Sequence, residues 1–523
     1  MPDDKEAAMS EKAGYDVVVV GGGAAGCVVA ARLSEEGSRR VLLLEAGPDH
    51  RALMPADVRD GWRPTTRHDW GYVAELDAVG VARPLPRGKL LGGCSSTNAT
   101  FALRGHPADY DAWAHAGNDG WSFDEVLPFF TRLESDADFG GAPWHGDGGP
   151  LPIRRYRDDE LTDVAQAGLE ALEEAGCARL PDANAPGAVG VAALPVNTLH
   201  GERISTALAY LPAGRPRPNL TVRCDAEISS LVIERDRAAG VRLASGGEIR
   251  ASRVILCAGA YGSPALLMRS GIGPAGHLRE LGIPVVADLP GVGANLADHP
   301  AVSVDFGYGR EARPAPAFQV AATLRSEGVG PDGPPDLQCI VGGPFADSGS
   351  GTFFLGVALL KPRSRGTVRL RSADPSAAPS IDLGYFREPA DLDRLAAGLA
   401  RIRESAAAVI AGLACGSELA PGPHVAHGDR DGLREWIRRA AWTYHHPVGT
   451  CAMGPAPGSG SVVDAAGAVH GIDSLTVADA SVMPDIPSAN THIPTVMIAE
   501  RIAALLAASR TRAARSRTQG GTS

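Results

Sequence analysis

The first fifty residues constrain this chain more than any other stretch. Residues 16–20, Asp-Val-Val-Val-Val, are a short β-branched run without polar alternation, which reads as a strand buried on both faces. Gly21-Gly22-Gly23-Ala24-Ala25-Gly26 follows, then a helix of small and apolar residues over 27–34, then a second buried strand at 41–45. In such a βαβ unit Gly21 permits the tight turn and Gly23 lets a pyrophosphate approach the backbone. Gly26 lets the helix pack on the strand. The helix N-terminus, at Ala24 and Ala25, offers unpaired N–H groups and partial positive charge to phosphates. Glu45 stands 19 residues after Gly26, where a carboxylate accepts ribose hydroxyls and repels a 2′-phosphate. The unit predicts an α/β, Rossmann-like dinucleotide-binding domain without choosing between NAD and FAD.

Composition narrows the class. With 523 residues, 44% apolar and 21% charged, the chain can bury a sizeable core and is not disordered. A net charge of −11 argues against a nucleic-acid partner, which needs a basic face. The eight cysteines (Cys27, Cys94, Cys177, Cys224, Cys257, Cys339, Cys415 and Cys451) are scattered without Cys-x-x-Cys spacing. That pattern disfavours a disulfide framework or structural zinc and fits a reducing cytoplasm. Residues 1–6 are too charged for a signal peptide, and no apolar run approaches the ~20 residues of a membrane span. The basic, polar stretch 510–523 reads as a disordered tail.

Further along, 107–134 reads as largely helical, 161–175 as an amphipathic helix, and 220–234 with 241–255 as strands of a meander turning at Gly246-Gly247. Residues 310–350, rich in Pro, Gly and Asp, read as loops around short strands. A short strand is expected at 367–370, and long helices at 389–411 and 493–508. Strand–helix units at both ends suggest one cofactor domain assembled from distant segments, with a mixed β-sheet cap domain between them. The expected division is 13–155, 216–300 and 441–508 for the cofactor domain, 156–215 and 301–440 for the cap, and 509–523 for the tail.

Four later segments resemble the glucose–methanol–choline oxidoreductase family. They are Arg87-Gly88-Lys89-Leu90-Leu91-Gly92-Gly93-Cys94-Ser95-Ser96-Thr97-Asn98, Gly259-Ala260-Tyr261-Gly262-Ser263-Pro264, Tyr444-His445-His446-Pro447-Val448-Gly449-Thr450, and Val477-Ala478-Asp479-Ala480-Ser481 continuing to Asn490-Thr491-His492-Ile493-Pro494-Thr495. With the N-terminal turn, the resemblance runs from about residue 15 to 508, closest to a bacterial alcohol or choline dehydrogenase-like or hydroxymethylfurfural oxidase-like branch. It implies a bound FAD, a substrate domain over the isoalloxazine, and oxidation of a small-molecule alcohol with O2 or an electron carrier as acceptor. The implied flavin contacts are Gly21, Gly23, Ala24, Ala25, Gly26, Glu45, Ala46, Arg87, Gly92, Gly93, Ser95, Asn98, Ile228, Asp479, Ala480, His492, Pro494 and Thr495. Asp479 is placed to accept hydrogen bonds from the ribityl chain. Some relatives carry a histidine, covalently bonded to flavin, where this chain has Thr97. The attachment here is therefore expected to be non-covalent.

The chemistry explains the histidines. An alcohol gives up a hydride from carbon and a proton from oxygen, and the neutral alcohol is a poor hydride donor. A base is needed near working pH, and imidazole is the natural choice. A second donor must hold the oxygen as charge develops. By resemblance His446, before Pro447, is the base and His492 its partner. His445 competes, but in an extended segment neighbouring side chains point to opposite faces, and the Pro spacing favours His446. No metal is expected, because no ligand motif surrounds these histidines. His299 is a candidate supporting residue. His106, His145, His277 and His470 read as structural, and Cys94 and Cys451 as small packing residues. Residues 68–72 and 310–350 could form a lid. A lyase or decarboxylase on the same fold, or a non-catalytic FAD-binding protein, is the alternative.

Overall fold

The computed structural model describes residues 14–309, 311–346, 351–413 and 418–519. The expectations for residues 1–6, Cys415 and the last four residues of the tail lie outside it.

Tyr15–Val20 pairs in parallel with Val41–Leu44 on one side and with Glu248–Leu256 on the other. Strands flanked in this way need apolar residues on both faces, and Val17 through Val20 are buried. Leu220–Arg223 extends the sheet beyond Val41–Leu44, and Leu475–Val477 pairs with the C-terminal half of Glu248–Leu256, both in parallel. The N-terminal half of Glu248–Leu256 instead turns at Gly246-Gly247, both at positive φ, and runs antiparallel to Arg237–Leu243 and on to Ile228–Glu234. The stretch 220–234, expected as one strand of the meander, is therefore two. It breaks at Asp225 (φ 52°), and its first half belongs to the parallel sheet.

Helix Ala24–Leu33 packs against the final helix, His492–Gln519. The backbone of that helix continues past residue 508, where the sequence reading ended it and placed a disordered tail.

A second sheet is antiparallel throughout. Its order is Glu418–Ala420, Pro300–Gly307, Thr352–Leu359, Leu337–Phe345, Phe318–Leu324, Val191–Ala193, with Trp442–Thr443 added beside Pro300 and Ala301. Two of its central strands, seven and nine residues long, occupy the stretch expected to be loops around short strands. Helices Asp163–Glu174 and Pro389–Leu413 cover one face, where Val302, Val304, Val320, Cys339, Val341, Leu355 and Val357 meet Leu169, Leu395 and Leu399. Side chains alternate across a strand, so Ile340, Phe354 and Ala358 face the other way, toward the first sheet. A register shift between Phe318 and Val320 turns Phe318 onto that same face.

Candidate active site

A cavity of about 700 Å3 is walled by both sheets. Its size is that of a cofactor or ligand site. Gly21, Gly23, Ala24, Ala25, Glu45 and Ala46 line one end; His445, His446, Asn490 and His492 line the other, beside Phe101, Phe318, Ile340, Phe354, Trp442 and Tyr444.

The nucleotide end is built by backbone contact. Gly23 caps helix Ala24–Leu33, leaving its first N–H groups toward the cavity. A Cβ on Gly93 would stand 2.8 Å from the Gly23 Cα, so the two glycine-rich turns touch where only glycine fits. The Glu45 carboxylate accepts from the N–H of Gly22 at 2.7 Å and of Gly47 at 2.8 Å. Burial raises its pKa to about 7 against the pull of those bonds. An elongated groove with free helix N–H groups and a buried carboxylate fits the expected FAD.

Arg87, Gly93, Ser95, Asn98, Ile228, Asp479, Ala480 and Thr495 also line the cavity. Three expected contacts do not reach it. A Cβ on Gly26 would lie 1.8 Å from the Gly21 carbonyl oxygen, so Gly26 serves helix–strand packing. Gly92 (φ 94°) lies behind the wall and donates its N–H to Gly22 O at 2.7 Å. Pro494 is buried in the first turn of the final helix. Asp479 lines the cavity, but both its oxygens already bond the protein. They accept from Gly259 N–H (2.9 Å), Ser263 Oγ (2.5 Å), and Ser481 N–H (2.8 Å) and Oγ (2.5 Å). Its visible work is to tie two flavin-motif segments together.

At the reactive end the alternation argument fails. His445 has φ 67°, so the segment turns rather than extends, and both His445 and His446 line the cavity. Asp298 holds this turn. Its Oδ1 accepts the His446 N–H at 2.8 Å, and its Oδ2 accepts from Tyr385 OH at 2.9 Å and from Thr443 Oγ1. Thr443 Oγ1 in turn accepts the His445 N–H at 2.9 Å, and Arg87 donates to the His445 carbonyl at 2.9 Å. The His446 ring lies against Tyr444, with centroids 4.4 Å apart. Its Nε2 faces the Asn490 amide nitrogen at 3.2 Å, and its Nδ1 faces Nδ1 of His299 at 2.9 Å. His492 Nε2 is buried without a hydrogen-bond partner among the described residues. Burial holds His492 down at about 4. It also holds His446 well below the ordinary histidine value, helped by the Arg87 guanidinium. Both imidazoles are therefore neutral near pH 7.

Sequence reasoning did not single out the aromatic wall or Asp298. Asp298 directly precedes the candidate His299, but its partners Tyr385, Thr443 and His446 are distant in sequence. The other histidines have structural work: His106 caps helix Pro107–His115, and His277 Nε2 accepts from Leu370 N–H at 3.2 Å. Cys94 lines the cavity and Cys451 is fully buried. Residues 68–72 form wall rather than loose loop, with Trp70 stacked on Tyr72 and Lys89 over Trp70. Among the described residues Glu134, Asp136 and His145 have ligand atoms close enough together for a cation. Arg104 on Glu134 (2.5 Å) and Arg155 on Asp136 already occupy that charge.

The GMC oxidoreductase family models match residues 15–301 and 362–499. A 5-(hydroxymethyl)furfural oxidase from Methylovorus sp. (strain MP688) is 39% identical over 94% of this chain and 98% of its own. Oxygen-dependent choline dehydrogenase 1 from Chromohalobacter salexigens is 35% identical over 95% of each chain. Among solved structures, pyridoxine 4-oxidase from Mesorbium loti superposes with a TM-score of 0.85 at 34% identity, covering 94% of this chain and 99% of that one.

Proposed function

Because the chain belongs to the GMC oxidoreductase family, FAD-dependent enzymes acting on the CH–OH group of donors, we propose that it oxidises a primary alcohol borne on a flat, neutral ring, with His446 as base. The observation that carries this reading is the shared cavity. A neutral, buried imidazole pair stands at the end where Phe101, Phe318, Ile340, Phe354, Trp442 and Tyr444 form an apolar wall.

Bound FAD supplies the two-electron acceptor for the hydride leaving carbon. The chain supplies the rest. Gly21, Gly23 and the helix N-terminus at Ala24 would hold the pyrophosphate and Glu45 the ribose, with Gly93, Ser95 and Asn98 left for the flavin. His446, neutral in its resting state, takes the hydroxyl proton at Nε2. His492 Nε2, which has no partner among the described residues, donates to the substrate oxygen and holds it as charge develops. The aromatic wall positions a planar substrate body and excludes water.

Aromatic walls also attract quaternary ammonium groups, as in choline. Arg87 beside His445 lines this cavity and repels a cation, which favours the neutral ring. The relatives named above are oxidases and dehydrogenases, which favours oxidation over the lyase alternative. They also favour O2 as acceptor over a carrier. No helix among the described residues is long and apolar enough to cross a membrane; the cytoplasm is the proposed location. Anaerobic mixing with 5-(hydroxymethyl)furfural, pyridoxine, benzyl alcohol and choline tests the reading. Flavin bleaching is expected with the ring-borne alcohols and slowest with choline. Fastest bleaching by choline overturns the ring preference, and an unchanged spectrum with C–C cleavage establishes the lyase.

A further inference from the structure

We propose that His299 is a positioning residue for the oxidation: by accepting the Nδ1–H of His446 it fixes that ring's tautomer and keeps the lone pair on Nε2, where it exchanges the Asn490 amide hydrogen bond for the substrate's hydroxyl proton. The inference rests on the reading of His446 as base.

A short contact between two ring nitrogens needs one N–H and one lone pair. His299 Nδ1 and His446 Nδ1 are 2.9 Å apart, with the rings crossed at 85°. On the far side of His446 an amide N–H of Asn490 meets Nε2, which makes Nε2 the acceptor and leaves the ring proton on Nδ1. His299 must then receive that proton's hydrogen bond, which requires it to be neutral. It is fully buried, and burial with the nearby Lys361 charge holds it at about 3.

Asp298 supplies the frame. Its Oδ1 accepts the backbone N–H of both His299 and His446, each at 2.8 Å, so one carboxylate sets the spacing of two rings 147 residues apart. A neutral partner differs in effect from a carboxylate. A carboxylate on Nδ1 would draw a proton to the resting base, whereas His299 leaves it free and strengthens its bond only when His446 becomes cationic. The other ionisable groups acting on the pair are His445 and Arg87 at His446, and Lys361 and Asp485 at His299.

The test compares the parent with H299L and H299Q, all FAD-loaded. H299L is expected to slow flavin reduction about 10–100-fold with little change in KM, and to move the acid limb of its pH profile lower. H299Q, whose Oε1 accepts the same proton, recovers most of the rate. In histidine-labelled parent holoenzyme, a scalar coupling transmitted through the hydrogen bond should link the two Nδ1 nuclei. This measurement decides the matter even if neither variant folds. Absence of the coupling, parental rates in H299L, or equal loss in both variants with an unmoved acid limb would overturn the proposal. A parental rate in H446A would instead remove the base assignment beneath it. A slow H446A beside a normal H299L removes only the positioning role.

Discussion

His446 is poised by its surroundings more than by its own chemistry. Burial depresses its pKa, so it is unprotonated across neutral pH and remains a competent acceptor in mild acid. His446→Ala is expected to retain FAD and to slow flavin reduction about 100- to 10,000-fold, the usual range for a lost general base. In the parent, the acid limb of flavin reduction should lie below the ordinary histidine value of 6.5. A limb at or above it would show that the base is not a buried imidazole. Thr97 gives a separate test. It lines the cavity and offers only a hydroxyl, with Oγ1 3.4 Å from the Cys94 carbonyl oxygen. Acid precipitation should leave a yellow supernatant; flavin that stays with the pellet contradicts non-covalent attachment.

At the scale of elements, the glycine turns and the cap strands were not equally readable. The βαβ unit shows in the sequence because three glycines, an apolar run and Glu45 serve neighbours close in the chain. The cap strand Leu337–Phe345 does not, because Gly342-Gly343-Pro344 looks like a turn. In the fold Gly342 makes room for a ring: a Cβ there would fall 2.6 Å from Phe354. The turn at His445 was misjudged for a related reason, since positive φ at a non-glycine residue is set by Asp298 and Arg87 from elsewhere. Two predictions belong here. Gly342→Ala should push Phe354 across the pocket and raise KM for a ring-borne alcohol about tenfold, with a smaller change in kcat; such overpacking costs ~1–3 kcal/mol. Gly93→Ala combines φ 50° with a 2.8 Å clash on Gly23 and should yield protein largely without FAD, read from the flavin-to-protein absorbance ratio.

Over the whole molecule, buried histidines of opposite kind set how stability follows pH. His299 and His492, at about 3 and 4, and the similarly depressed His446 stay neutral when folded, whereas the unfolded chain protonates them near 6.5. Their contribution is complete above 6.5 and is lost as pH falls toward 4. His445, also held at about 3, and the depressed Asp136 and Asp182 add to this trend, while the buried Glu45, Asp298 and Asp479, all raised, work against it in acid. His145 behaves oppositely. Burial disfavours its charge, yet bonds from Asp136, Asp182 (2.9 Å) and Glu134 (2.7 Å) outweigh burial and hold it up at about 10. Its contribution is complete below 6.5 and is lost as pH rises through 10. That network joins Glu134–Asp136 to Asp182 and Arg155, distant stretches of chain, so its loss should be felt globally. The FAD-loaded protein should therefore have its highest Tm near pH 6.5 and decline on both sides. His145→Gln should lower Tm most at and below pH 6.5, and the gap to the parent should close as pH approaches 10. A gap that stays constant from pH 6.5 to 10 would mean that His145 is neutral in the fold and that its three carboxylate neighbours are balanced by Arg104 and Arg155 alone.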